Sequence, residues 1–197
     1  AEHPERTVRS AKRKMGQEFQ YLIGDRRLAP EEVSAEVLLA LKRGAESSLG
    51  HLISDVVITV PAYFDDSQRR ATLKAGELAG LNVLRLLNEP TSASLVYDQL
   101  SATARAEPEI LLVYDLGGGT FDVSVLEVFE GVREVRSTSG NSSLGGDDFD
   151  ELLLRRFLDE LRLGQGVDPR EDRRAMARLR RLAEETKIRL STDTRVE

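Results

Sequence analysis

Apolar positions along this chain recur at two periods, and the two alternate. From Pro30, residues Val33, Val37, Leu41 and Ala45 fall at helical spacing, a stripe running to about Gly50. Pro suits the first turn of that helix, and Glu31 and Glu32 favour the positive end of its dipole. Val56-Val57-Ile58-Thr59-Val60 is a β-branched run stopped by Pro61, which reads as a buried strand. Asp65 and Gln68 have capping-box spacing and open a helix to about Gly80. Val83 to Leu87 reads as a strand, Asn88-Glu89-Pro90 as a turn, and 91–100 as a helix. Residues 101–109 have the composition of a connector. Two strands then flank a run of glycines, with a third strand near 131–138. A second glycine turn at 144–150 opens a helix to about Leu163. Asp168-Pro169-Arg170-Glu171 caps a last helix whose stripe is Met176, Leu179, Ala183 and Leu190. Residues 1–29 are polar and mixed, and their basic run Arg9-Ser10-Ala11-Lys12-Arg13-Lys14 reads as a solvated face. Strands interleaved with helices predict an α/β fold.

The glycine run carries the most specific chemistry. Residues 111–128, LLVYDLGGGTFDVSVLEV, are a strand, an Asp, three glycines, a Thr, an Asp and a second strand. Gly117, Gly118 and Gly119 have no Cβ, so they admit positive φ and a close backbone approach. Successive N–H groups in such a turn form a concave nest for phosphate oxygens. Each hydrogen bond to a charged oxygen is worth roughly 1.5–3 kcal/mol, so two or three would hold a polyphosphate. Asp115 and Asp122 flank the loop where a hydrated Mg²⁺ would sit, and Thr120 adds a hydroxyl. The loop lacks the Lys-Ser/Thr ending of a P-loop and the spacing of a dinucleotide fingerprint. A strand follows it, so the phosphate loop would be the tip of a β-hairpin. The plain alternative is a tight hairpin turn that holds no ligand.

Composition narrows the classes. The chain has 197 residues, 40% of them hydrophobic, with a net charge of −6 and no obviously basic face, which argues against a nucleic-acid partner. No apolar run approaches the roughly 18 residues of a spanning helix, and no membrane partner is expected. The absence of Cys suits a reducing cytoplasm. His3 and His51 lack neighbouring His or Cys, so a protein-ligated transition metal is not expected.

Taken in order, VITVPAYFDDSQRRATLKAGELAGLNVLRLLNEPTSASLVY (57–97), the glycine loop and LGGDDFDELLL (144–154) closely resemble the seventy-kilodalton heat-shock chaperones. These are DnaK-type ATPases of actin-like (ribonuclease H-like) architecture, and the resemblance covers essentially the whole chain. It implies that residues 1–100 are the second part of lobe I of a nucleotide-binding domain. Residues 101–109 would be a connector and 110–197 the first part of lobe II. It further implies ATP or ADP with Mg²⁺ as ligands, a separate domain that binds unfolded polypeptide, and J-domain and nucleotide-exchange partners.

Residue roles follow from the same resemblance. Asp115 matches the carboxylate that orients the hydrolytic water and the metal shell, and Gly117, Gly118, Gly119 and Thr120 match the phosphate cradle. Glu89 matches the lobe I acid that holds catalytic geometry through water and Mg²⁺. Gly145 and Gly146 form the second glycine turn of the nucleotide site. Glu184, Lys187 and Ser191 match adenosine-contacting positions, at a spacing that shares one helix face. Pro61 and Arg69 match a pair that relays nucleotide state between lobes, while Arg85 and Asn88 fall where linker and co-chaperone signals arrive. Read without the family, Glu89 caps a turn and both arginines are surface charges.

The sequence also departs from the family pattern. Ile188 stands where some relatives have an Arg that stacks on adenine, and Asn141-Ser142-Ser143 stands where Asp-Thr-His is usual. The resemblance implies a first phosphate hairpin with its own Asp, and a lysine acting on the γ-phosphate, both upstream of Ala1. A further adenosine turn, the linker and the peptide-binding domain would follow Glu197. On that reading the chain is a truncated piece, inactive alone. The alternative is a divergent actin-like regulatory module that binds nucleotide without chaperone activity.

Overall fold

The structure is a computed structural model that describes residues 3–100 and 107–196. The connector expected at 101–109 therefore falls largely outside the described residues. Short 3₁₀ turns at Pro4–Arg6 and Ala11–Lys14 lead to an antiparallel hairpin, β1 (Tyr21–Ile23) and β2 (Arg26–Leu28). The sequence reading gave this stretch no element. Its signal is Gly24-Asp25 after the apolar Tyr21-Leu22-Ile23, with Gly24 at φ +60°.

Helix α1 (Pro30–Leu49) follows, closed by Gly50 in the left-handed conformation. Its buried face is not the expected stripe. Val37 and Leu41 are exposed, and Ala35 with Leu38 and Leu39 packs instead against Ala75, Ala79 and Leu81. The helix carries apolar residues on two faces, and the position of its neighbour α2 (Asp66–Leu78) selects one of them. Helix α2 opens with the expected capping box: Gln68 N donates to Asp65 Oδ1 at 2.8 Å and Asp65 N to Gln68 Oε1 at 2.9 Å.

Strands β3 (Asp55–Val60) and β4 (Asn82–Asn88) pair in parallel across α2, a βαβ unit. Of β3 only Val60 is buried, and Val57 is exposed, so the strand covers one face and is not enclosed on both. Gly76 of α2 lies so close to β4 that a Cβ there would come within 2.4 Å of Val83 Cγ2. No separate turn divides β4 from α3 (Glu89–Leu100): the strand ends at Asn88 and Glu89 begins the helix. Pro90 sits in the first helical turn, where its missing N–H costs nothing.

The second half is an antiparallel sheet in the order β5 (Glu109–Leu116), β6 (Phe121–Phe129), β7 (Val132–Asn141). Asp115 lies directly opposite Asp122, and Val113 opposite Ser124. Along the buried face of β6 run Asp122, Ser124, Leu126 and Val128. Helices α4 (Gly146–Gln165) and α5 (Arg173–Arg189) then pack through Leu154, Leu158 and Ala183, flanked by Met176 and Leu179. Helix α5 starts later than the sequence suggested. Its cap is Asp172, which accepts from Arg174 N at 2.8 Å and Ala175 N at 3.1 Å. Those donors hold the Asp172 carboxyl below its usual pKa. Helix α5 ends at Arg189, so Leu190 is a half-exposed cap and no part of the apolar stripe.

The segment between the first 3₁₀ turns and β1 is seated firmly. Gly16 has φ +73°, and a Cβ there would lie 2.7 Å from Gln68 N and 2.8 Å from Ser67 C, on the backbone that opens α2. Gly16→Ala is expected to cost at least about 2 kcal/mol, read as a lower midpoint in urea unfolding. The left-handed conformation alone accounts for about 1–2 kcal/mol of that, and the backbone cannot yield.

Candidate functional site

The two glycine turns meet. Gly117 N donates to Thr120 O at 3.0 Å and closes the hairpin tip. Gly146 N donates to Gly117 O at 2.9 Å and Asp147 N to Gly118 O at 2.8 Å, so the start of α4 is hydrogen-bonded to the loop. Gly145 is extended, and a Cβ there would strike Gly118 C and O at 2.5 Å. Gly117, Gly118 and Gly119 do not have positive φ, contrary to the sequence expectation. Absence of a side chain matters here through proximity. A Cβ at Gly118 would meet nothing closer than 4.0 Å, leaving that side of the loop open.

Acids converge beside the loop. Asp122 is only 4% exposed, and its Oδ1 has no hydrogen-bond partner. Burial pushes its pKa up, and the charges of Glu89 and then Asp115 push it further, against Lys12 and the Tyr63 backbone. Glu89 is half-buried at the start of α3 and pairs with Lys12 Nζ at 2.8 Å. The same ammonium lies 5.9 Å from the centre of the Phe64 ring. Among the described residues no three His, Cys, Asp or Glu side chains are grouped so as to hold a metal directly. The donor set suits Mg²⁺ held through its waters, as that reluctantly dehydrating ion prefers.

The sequence reading places Asp122 at the flank of the loop but does not give its burial, and it misreads the basic run. Arg9 and Lys12 keep exposed side chains, yet the run makes long-range contacts that a purely solvated face would lack. Ser10 Oγ bonds Asp147, Lys12 pairs with Glu89, and Arg13 reaches Gly119 and Asp148. Arg9 lies 3.9 Å from Glu184. No sequence period marks these contacts, because the run meets residues 77 to 175 positions away.

The adenosine-side candidates separate. Glu184 and Ile188 line an open cleft of about 1130 Å³ with Arg9, Arg13, Asp147 and Asp148. Lys187 is turned toward α4, where it pairs with Asp150 at 2.7 Å and donates to Gly146 O at 3.1 Å. Ser191 lies past the end of α5, so it does not share a helix face with the other two, and it is exposed. The relay candidates divide as well. Arg69 donates to Asn88 Oδ1 at 2.9 Å and to the carbonyls of Phe64 and Ala62, beside buried Pro61. Arg85 is exposed on β4 opposite Val57 and joins none of them.

Two glycine turns locked together, a buried acid with one orphaned oxygen and a lysine fixed on a second acid define an α/β protein with a polar site at a strand–helix junction. The family described as Hsp70 protein matches residues 1–197, and the chain belongs to it. It is 54% identical over 190 residues, or 96% of its length, to the chaperone protein DnaK of Thermotoga petrophila and to that of Thermotoga maritima. It is 51% identical over 188 residues to the chaperone protein DnaK of Thermosipho africanus. The chain spans 31% of the length of each of these relatives.

Proposed function

We propose that this chain carries the central part of a nucleotide-binding domain of actin-like architecture, with residues 1–100 in lobe I and 110–197 in lobe II. Its parent would be an ATP-hydrolysing chaperone that couples nucleotide state to the binding and release of unfolded polypeptide, in the cytoplasm. Polypeptide clients, J-domain partners and exchange factors belong to that parent. The observation that carries the reading is the buried Asp122 carboxyl, whose Oδ1 has no hydrogen-bond partner and which feels the charges of Glu89 and Asp115 beside the glycine loop. A buried acid with a raised pKa and an orphaned oxygen is costly unless a cation answers it.

Within this reading the glycine loop holds the phosphates with backbone N–H groups, and Gly145 and Gly146 fix its shape from behind. Asp115, Asp122 and Glu89 would hold hydrated Mg²⁺, which neutralises phosphate charge. Asp115 orients the attacking water. Thr120, buried at the end of the loop, supports the cradle. Lys12 offers the cation that the resemblance assigned to a lysine upstream of the chain: its ammonium sits on Glu89, within reach of the same acids. Positioning and charge account for most of such catalysis. Glu184 contributes to the adenosine side from the cleft wall, and Lys187 acts indirectly through Asp150 and Gly146. Arg69, Asn88 and Pro61 transmit the state of this junction.

Isothermal titration of the chain with Mg·ADP tests the reading. Micromolar binding is expected, lost in Asp115→Ala and weakened by chelation of Mg²⁺. No heat from a chain that circular dichroism reports as folded would overturn it.

A further inference from the structure

The side chain of Arg13 occupies the space that Gly119 leaves empty. A Cβ at Gly119 would lie 3.3 Å from Arg13 Nε, 3.7 Å from its Cγ and 4.0 Å from its Cδ. Arg13 Nε donates to Gly119 O at 2.8 Å. The two terminal nitrogens fork onto Asp148, at 3.1 Å to Oδ1 and 2.5 Å to Oδ2. Asp148 Oδ2 in turn accepts from Gly145 N at 2.7 Å. One guanidinium therefore touches the carbonyl of the first glycine turn and the acid that caps the second. Arg13 is 20% exposed and Asp148 37%, so the pair is partly shielded from solvent.

The anchoring on the other side is equally specific. Met15 is buried and accepts a bond from Ser34 Oγ of α1 at 3.3 Å. Gly16 rests on the backbone at the start of α2. Arg13 thus stands on elements of the first half and grips the loop of the second.

We propose that Arg13 is a positioning residue for the phosphate loop, and that the third glycine of the run is glycine to admit its guanidinium. This rests on the nucleotide reading above. A guanidinium supplies three donors in fixed directions, one for the carbonyl and two for the carboxylate. A lysine carries the same charge but cannot meet both partners at those angles. Loss of one charge-assisted bond that orients a binding loop corresponds to about a tenfold change in affinity.

The test is a double-mutant cycle read by Mg·ADP titration, with folding checked by circular dichroism. Arg13→Lys is expected to weaken ADP about tenfold without loss of helix content, and Arg13→Ala by at least as much. Gly119→Ala weakens ADP when Arg13 is present, because the new methyl presses on its guanidinium. In the Arg13→Ala background the three atoms nearest the new methyl are gone, and the same change is expected to have no further effect. That coupling in affinity would not arise from a loop glycine serving phosphate alone. Equal losses from Gly119→Ala in both backgrounds, or Arg13→Lys binding ADP like the unaltered chain, overturn the inference and leave the nucleotide site standing. If the unaltered folded chain binds no ADP, the nucleotide reading falls and this inference with it.

Discussion

Asp122→Asn is expected to make the nucleotide-free chain more stable and to weaken its affinity for Mg·ADP. The two effects have one cause. Burial and the charges of Glu89 and Asp115 raise the folded-state pKa of Asp122 above its unfolded value. A raised carboxylate pKa means that the folded state holds the proton more tightly than the unfolded chain does. The charged form therefore costs stability, beginning as pH climbs past the unfolded pKa and fully present above the folded one. An amide at this position carries no charge, so at neutral pH the penalty disappears. Oδ1, the buried oxygen without a partner, is the one whose charge a bound cation would offset. Thermal melts of both chains at neutral and acid pH check the first effect: the gain from Asn should shrink as pH falls. Titration with Mg·ADP checks the second, with a loss of about tenfold or more. A variant that melts lower than the parent at neutral pH would mean that the acid is answered within the protein.

Gly145→Ala is expected to damage both folding and binding. The added carbon would sit 2.5 Å from the carbonyl carbon and oxygen of Gly118, and 2.7 Å from Gly117 O. These are backbone atoms of the loop itself, held by bonds from Gly146 N and Asp147 N, so they have no rotamer to change. The turns must separate, breaking both bonds. A cost of about 3 kcal/mol is expected, a melting temperature lower by roughly 10 °C. ADP binding should be lost even at temperatures where the variant is folded. Gly44→Ala is the matched control: it lies inside α1 with nothing within 4 Å of the new carbon. That change should stabilise by about 0.5–1 kcal/mol through the helix backbone alone.

Most of the fold was legible where the physics is local. The capping box at Asp65 and Gln68, the proline opening α1 and the alternation on either side of the glycines each depend on residues within four positions. The glycine hairpin was found because strand, turn and strand are contiguous. Failures occurred where a distant partner decides. Leu38 and Leu39, rather than Val37 and Leu41, face the core of α1 because α2 lies on that side. Asp168 to Glu171 resembled a cap, yet Asp172 does the capping because its carboxylate reaches Arg174 N and Ala175 N. The largest omission was the run from Arg9 to Arg13. Five residues rich in charge are normally a wet surface, and only the folded chain brings Asp147, Asp148, Glu89 and Glu184 to meet them. Asp122 was noticed as a flank of the loop, but its burial, which gives it its chemistry, depends on β7 and on the loop around Tyr63.

The contact between Gly76 and Val83 ties two positions into one unit of descent. A lineage that acquires Ala at 76 first must pass through a methyl set 2.4 Å from Val83 Cγ2. One that first shortens Val83 to Ala passes through a small void, costing on the order of 2 kcal/mol, which the later methyl at 76 refills. The order of the two steps decides which path stays open. Across a lineage, glycine at the first position and a branched residue at the second should be inherited, or lost, together.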